Sequence, residues 1–322
     1  MVNAVTLYSI AELYNPTTGE FTETGPLPRP ASYGTATLLS DGKVLLADGF
    51  ACKDAHSCVD VPASTAIEPL QQAELYDPVT GKFSPTGSLA YDHGPGPTAT
   101  LLPDGRVLIA GWVPTAELYD PATGKFTPTG QETAFNGNLT ATLLPNGKVL
   151  VTGDDSASNF VAQLYDEKTG KFTTISLPIP PGSATYEGQT IERPDVESAV
   201  LLKDGFVLLF EYGYLQTYDP VSGRCADAGY ISPAGEWDDP TVTLLPDGEV
   251  LFQGGYFTDS QHEATTNAAL LYDPSDGHVR AATSIAARQY GTATLLADGR
   301  VLIAGGEDND GNPLNSAELF VP

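Results

Sequence analysis

Positive charge is scarce in this chain. Fifteen lysines and arginines stand against 41 aspartates and glutamates, a net charge of −26 at pH 7. Such a surface repels phosphates, which argues against nucleic acid and anionic membranes as partners. It suits cations and basic partners, and it is equally the well-solvated surface of a secreted protein. Long hydrophobic runs are also missing. No segment approaches the ~20 apolar residues of a membrane-spanning helix, and residues 1–10 (MVNAVTLYSI) lack the basic start and long apolar centre of a signal peptide.

Cysteine is limited to three residues. Cys52 and Cys58 lie close together in CKDAHSC, where a short loop-closing disulfide is expected, and with it an oxidising compartment: extracellular, cell-surface or periplasmic. No second Cys/His pair completes a zinc site, and Cys225 stands in a core-like position as a thiol. The four histidines, His56, His93, His262 and His278, are scattered.

What is plentiful is glycine (33), proline (26), tyrosine (15) and phenylalanine (12), with 41% hydrophobic residues, the composition of a turn-rich folded protein. Most of it is organised by a repeat. AELYNPTTGEF from Ala11 returns as AELYDPVTGKF from Ala73, AELYDPATGKF from Ala116, AQLYDEKTGKF from Ala162, LQTYDPVSGRC from Leu215 and ALLYDPSDGHV from Ala269, and a seventh, shortened copy, AELFVP, ends the sequence. Its anchoring aromatics, from Tyr14 to Phe320, are spaced about 51 residues apart, the length of a kelch-type propeller blade.

Between these copies lies a second phrase, T-A-T-L-L-x-D-G-x-V-L-x-x-G, six times over. It is two apolar runs around Asp-Gly or Asn-Gly (Asp41-Gly42 in the first), which predicts a hairpin with a two-residue type I′ turn. The D-P-x-T-G segment predicts the turn of a second, outer hairpin. Four strands per repeat follow. One such sheet cannot bury both faces alone, whereas six arranged radially can, so the expectation is a single domain, 1–322: an all-β, six-bladed kelch-type β-propeller with four antiparallel strands per blade. N- and C-terminal strands should close it, with Ala11–Tyr14 and Ala317–Phe320 competing for the third strand of the closing blade.

The chain resembles the kelch-repeat family, in particular bacterial kelch-like propellers related to the central domain of galactose oxidase. The resemblance rests on the glycine pairs Gly254-Gly255 and Gly305-Gly306, the tyrosine of each outer hairpin and the large aromatic seven positions later, Phe21, Phe83, Phe126 and Phe172 in the first four copies. The glycine pair is reduced to Asp48-Gly49, Gly111-Trp112 and Gly153-Asp154 elsewhere, and phenylalanine replaces the family's usual tryptophan. The family's copper-radical oxidases need a histidine and tyrosine ligand set that these scattered histidines do not supply. Its sialic acid mutarotases use a glutamate and an arginine at the channel mouth, a pair for which Glu187 and Arg193 are the candidates here.

In this topology the tight turns share one face, and the connections of variable length share the other, where binding residues are expected. A ring of candidates lies there: Arg29 with Tyr33, Tyr91 with Asp92 and His93, Asn136 between Phe135 and Asn138, Tyr186 with Glu187 and Arg193, Glu236 with Trp237, Asp238 and Asp239, and Arg288 with Tyr290. Mixed aromatic, carboxylate and arginine groups suit sugar or peptide recognition. Trp237, one of two tryptophans, has the strongest individual claim; Trp112 stands in the place of a blade glycine. The acidic stretch Glu307–Asn312 alternates oxygen ligands as calcium loops do, without the distal bidentate glutamate, and reads better as a polar turn. No cofactor is expected. The leading expectation is a monomeric, non-enzymatic binding module for a carbohydrate or protein partner; the alternative is a carbohydrate-active enzyme, epimerase- or mutarotase-like, using Glu187 and Arg193.

Overall fold

A computed structural model of the protein describes residues 4–5, 10–29, 31–47, 49–52, 61–62, 67–132, 135–157, 159–177, 185–186, 189–190, 196–231, 236–258, 263–283 and 286–322. The chain divides into two compact units, Met1–Ile175 and Ser176–Pro322. Every strand pairing is antiparallel, and no helix among the described residues is long and apolar enough to cross a membrane.

The first unit holds three four-stranded sheets. The first is Thr35–Leu38, Val44–Ala47, Gln72–Asp77 and Lys82–Ser88; the second is Thr98–Leu101, Val107–Ala110, Thr115–Asp120 and Lys125–Gln131; the third is Phe135–Leu143, Val149–Asp155, Phe160–Asp166 and Lys171–Ile175. The second unit continues the series. Its fourth sheet is Ser198–Leu201, Val207–Glu211, Tyr214–Asp219 and Arg224–Tyr230, and its fifth is Thr241–Leu244, Val250–Gln253, Ala269–Asp273 and His278–Ala281. The sixth has three strands, Thr292–Leu295, Val301–Ala304 and Ala317–Phe320. The competition between terminal copies therefore goes to the C-terminal one. The N-terminal copy, Glu12–Asn15 with Glu20–Glu23, is a two-stranded sheet of its own.

One register repeats throughout. The anchoring aromatic always faces the first valine of the inner hairpin's second strand: Tyr76 faces Val44, Tyr119 Val107, Tyr165 Val149, Tyr218 Val207, Tyr272 Val250 and Phe320 Val301. On the other side Tyr14, Tyr76, Tyr119 and Tyr165 face Phe21, Phe83, Phe126 and Phe172, with ring centroids 4.8–4.9 Å apart. Such cross-strand aromatic pairs each add about 0.5–1.5 kcal/mol beyond their buried area.

The Asp-Gly turns differ from the expected type I′. Leu39 accepts from the Gly42 amide at 3.0 Å and donates to Lys43 at 2.8 Å, so the loop has three residues, and in it Gly42 has positive φ (87°) while Asp41 does not. A type I turn followed by a left-handed glycine needs only one such residue. Asp41 is spent instead on holding the Lys43 amide with its carboxylate (3.1 Å).

Apolar layers join neighbouring sheets. Leu39, Leu45 and Ala47 of the first repeat pack on Val107, Ile109 and Tyr119 of the second; Leu102 and Leu108 on Val149, Val151 and Tyr165 of the third. In the second unit Leu208 and Phe210 meet Val250, Phe252 and Tyr272, and Leu245 and Leu251 meet Val301, Ile303 and Phe320. Within each unit, consecutive sheets thus bury their facing sides on one another, as stacked propeller blades do.

Candidate functional site

The described candidates all sit in connections that precede the first strand of a repeat or follow its second. In the first unit, Tyr33 stands two residues before Thr35, with φ of 57° and 68% of its surface exposed. A bulky side chain in the left-handed region is costly, about 1–2 kcal/mol. The second repeat has Gly96 at the same place, with φ of 68° and no such cost. Arg29 bonds Glu68 at 2.7 Å on the rim of a cavity of about 250 Å³, which Tyr33, Leu46, Gln72 and Glu74 also line. Burial pushes the Glu74 carboxyl up.

His93 is interior rather than exposed. Its Nε2 lies 3.2 Å from Glu117, both side chains fully buried, and the same carboxylate accepts from the Ala90 and Tyr91 amides at 3.0–3.1 Å. Glu117 belongs to the repeated A-E-L-Y-D phrase, so its acid locks the loop ahead of its own blade. Tyr91 stays part-exposed, as does Trp112, whose indole packs on Gly94. Nearby, burial lifts the Glu132 carboxyl to about 8, opposed only weakly by the Gly111 amide at 3.4 Å.

In the second unit Trp237 departs most from expectation. Only 2% exposed, its indole N–H donates to the Gly254 carbonyl at 2.6 Å, and its rings meet Phe210 and Phe252 at 6.3–6.4 Å. The cost of leaving an indole in water is met by packing. Arg288 is likewise buried, donating to the Gly305 carbonyl at 2.6 Å and to Glu318 at 2.9 Å. Tyr290, two residues before Thr292, repeats the arrangement of Tyr33 with φ of 55° and 64% exposure.

Asp238 and Asp239, both expected in the ring, are joined by Glu197, which was not among the expected candidates. Glu197 ends the longest inserted loop, and its carboxylate accepts from the Asp239 amide at 3.3 Å. Burial, then the negative charges of Asp238 and Asp239, raise its carboxyl to about 9. Asp239, at φ of 50°, occupies the same repeat position as Tyr33 and Tyr290. Two readable signals existed: three acids near two inner strands, and a non-glycine residue at a place that Gly96 fills elsewhere.

Glu187, Arg193 and Cys58, and the side chains of Cys52, Asn136, Tyr186 and Glu236, lie outside the described residues. Cys225 is a half-buried free thiol, raised to about 11 by burial. In the acidic stretch Asp308 accepts from the Asp310 and Asn312 amides at 2.9 Å, the bonding of a polar turn. No group of three His, Cys, Asp or Glu arranged for a metal occurs among the described residues.

No family model and no curated sequence matches the chain. Solved structures do. A fungal alcohol oxidase of the AA5 family, in complex with copper, superposes with a TM-score of 0.69 at 17% identity, over 99% of this chain and 66% of the oxidase, so the chain spans slightly less than two thirds of that protein. YjhT superposes with a TM-score of 0.58 at 13% identity, over 91% of this chain and 95% of its own. At these identities the likeness is one of fold. The chain is an all-β protein of the kelch-type β-propeller fold, similar to the propellers of galactose- and alcohol-oxidase type.

Proposed function

We propose that the protein is a non-enzymatic binding module, secreted or cell-surface, that presents the loops ahead of its inner strands to a carbohydrate. One observation carries this reading: Tyr33 and Tyr290 hold the same repeat position in the strained left-handed region, with their rings in solvent. Strain of this kind is tolerated where a side chain must be aimed outward, and an exposed ring is a platform for the apolar face of a sugar. Part-exposed Tyr91 and Trp112 extend the supply of aromatic surface in the first unit. His93, Arg288 and Trp237 support the loops from beneath.

A glycan array, followed by calorimetry on any hit, tests the proposal. Saturable binding to one sugar class, weakened at least tenfold by Tyr33→Ala or Tyr290→Ala, supports it; binding insensitive to both substitutions overturns the role of these rings, and an empty array points to a protein partner.

A second reading, a carbohydrate-active enzyme, is favoured by Glu197. A half-buried carboxyl raised to about 9 beside two further acids holds its proton at neutral pH, as a general acid must. Turnover of an array hit that disappears in Glu197→Gln would establish this reading, and binding without turnover would remove it.

A further inference from the structure

Two buried side chains between the fifth and sixth sheets, both in the second unit, carry polar atoms that the surrounding protein leaves unmet. Arg288 is 1% exposed, and its guanidinium has five N–H donors. Four are placed: Nη1 donates to the Gly305 carbonyl at 2.6 Å and the Ser316 carbonyl at 3.3 Å, and Nη2 donates to Ser316 Oγ at 3.2 Å and Glu318 Oε1 at 2.9 Å. The fifth, on Nε, has no acceptor among the described residues. The Gln253 side chain is also 1% exposed, and neither its Oε1 nor its Nε2 has a partner among them.

Both side chains enter one space. Successive strand residues face opposite sides, so Gln253 shares the face of Leu251, which packs on Val301 and Ile303 of the sixth sheet. Two residues further on, Gln253 faces that sheet beyond Ile303, towards Gly305, whose carbonyl the Arg288 guanidinium holds. Arg288 itself sits on the end of the strand that carries Gln253. Its carbonyl accepts from the Gly255 amide at 2.8 Å, and its Cγ would lie 3.4 Å from a Cβ on Gly254.

The fold does not require an amide here. Ala47, Ala110 and Ala304 hold the place of Gln253 in three other sheets, and Thr152 and Phe210 hold it in the remaining two. In the first unit His93 bonds Glu117 as Arg288 bonds Glu318, and the sheet ahead of it offers only Ala47. A buried donor or acceptor left unmet carries its full desolvation penalty, and a polar gap where several such groups converge holds water.

We infer that Gln253 and Arg288 form a binding site for buried water, in which a water molecule accepts from Arg288 Nε and bonds the Gln253 amide. Glu318 already balances the guanidinium charge, and Gln253 offers an oxygen as well as an N–H, which suits water and not a halide. The water links the fifth sheet, through Arg288, to Glu318 of the sixth. Gln253 is thereby a positioning residue for the loop that carries Tyr290, whatever that ring binds.

A high-resolution crystal structure of the whole chain tests the site directly, with a bromide soak in parallel. The expected result is a peak within hydrogen-bond reach of Arg288 Nε and the Gln253 amide, without anomalous signal from bromide. An anomalous peak there, or no peak at all, overturns the inference. Gln253→Met keeps the length of the side chain without its polar atoms. This variant takes a partner from the water that Arg288 needs, so the melting temperature should fall by about 2–4 °C. An amide with no partner would be better replaced, and a melting temperature that holds or rises therefore refutes the site. Amide exchange at Gly255 and Gln289 should accelerate in Gln253→Met while Ala90 and Tyr91, in the first unit, exchange as in the parent. Unchanged exchange at Gly255 removes the positioning role.

Discussion

The indole N–H of Trp237 reaches the carbonyl oxygen of Gly254 at 2.6 Å, tying the loop before the fifth sheet to the end of that sheet's second strand. Gly254 has positive φ (67°) and sits against the Arg288 backbone, so this bond anchors a residue that itself supports the next loop. Trp237→Ala should cost about 3–5 kcal/mol. Trp237→Phe, which keeps much of the packing but orphans a carbonyl, should cost about 1–3 kcal/mol. Urea midpoints measure both.

Glu117 draws two backbone amides and His93 onto one buried carboxylate. Glu117→Ala leaves all three without their acceptor and should destabilise by about 3 kcal/mol or more. Glu117→Gln keeps one acceptor oxygen and should lose roughly half as much. Amide exchange at Ala90 and Tyr91 should accelerate in both variants, which separates this local effect from general loosening.

Tyr33 and Tyr290 should behave oppositely in stability and in binding. Replacing either with glycine removes left-handed strain of about 1–2 kcal/mol, offset in part by glycine's greater unfolded-state freedom. Thermal melting is therefore expected to hold or rise while carbohydrate binding falls at least tenfold. A drop in melting temperature would show that the ring is packed, not presented.

Glu132 should make stability depend on pH. Its folded carboxyl keeps its proton up to about 8, while the unfolded group releases it near 4.5. Between these values the folded state binds more protons, so its contribution is complete below 4.5 and declines as pH rises towards 8. Glu132→Gln should flatten that decline and raise stability at pH 8 by roughly 1–3 kcal/mol. Melting curves between pH 5 and 9 test this, and parallel parent and variant curves would contradict it.

Strands, pairing order and repeat length were legible in the sequence, because each rests on local chemistry that recurs: alternating apolar runs, a turn residue that accepts positive φ, an aromatic at a constant offset. The register needed no more than Tyr and Val at matching places in each phrase. The candidate ring was legible as a set of positions but not as a set of roles. Whether a loop aromatic is presented or buried depends on neighbours remote in sequence: Phe210 and Phe252 enclose Trp237, Glu318 claims Arg288, and Glu117 claims His93, while nothing comparable among the described residues covers the Tyr33 ring. The sequence alone determined that the chain is built from kelch-type four-stranded units, since every unit repeats the same local instructions. Only the tertiary structure decided which terminal copy completes the sixth sheet and which acids gather at Glu197, because burial and pairing are settled by what packs alongside.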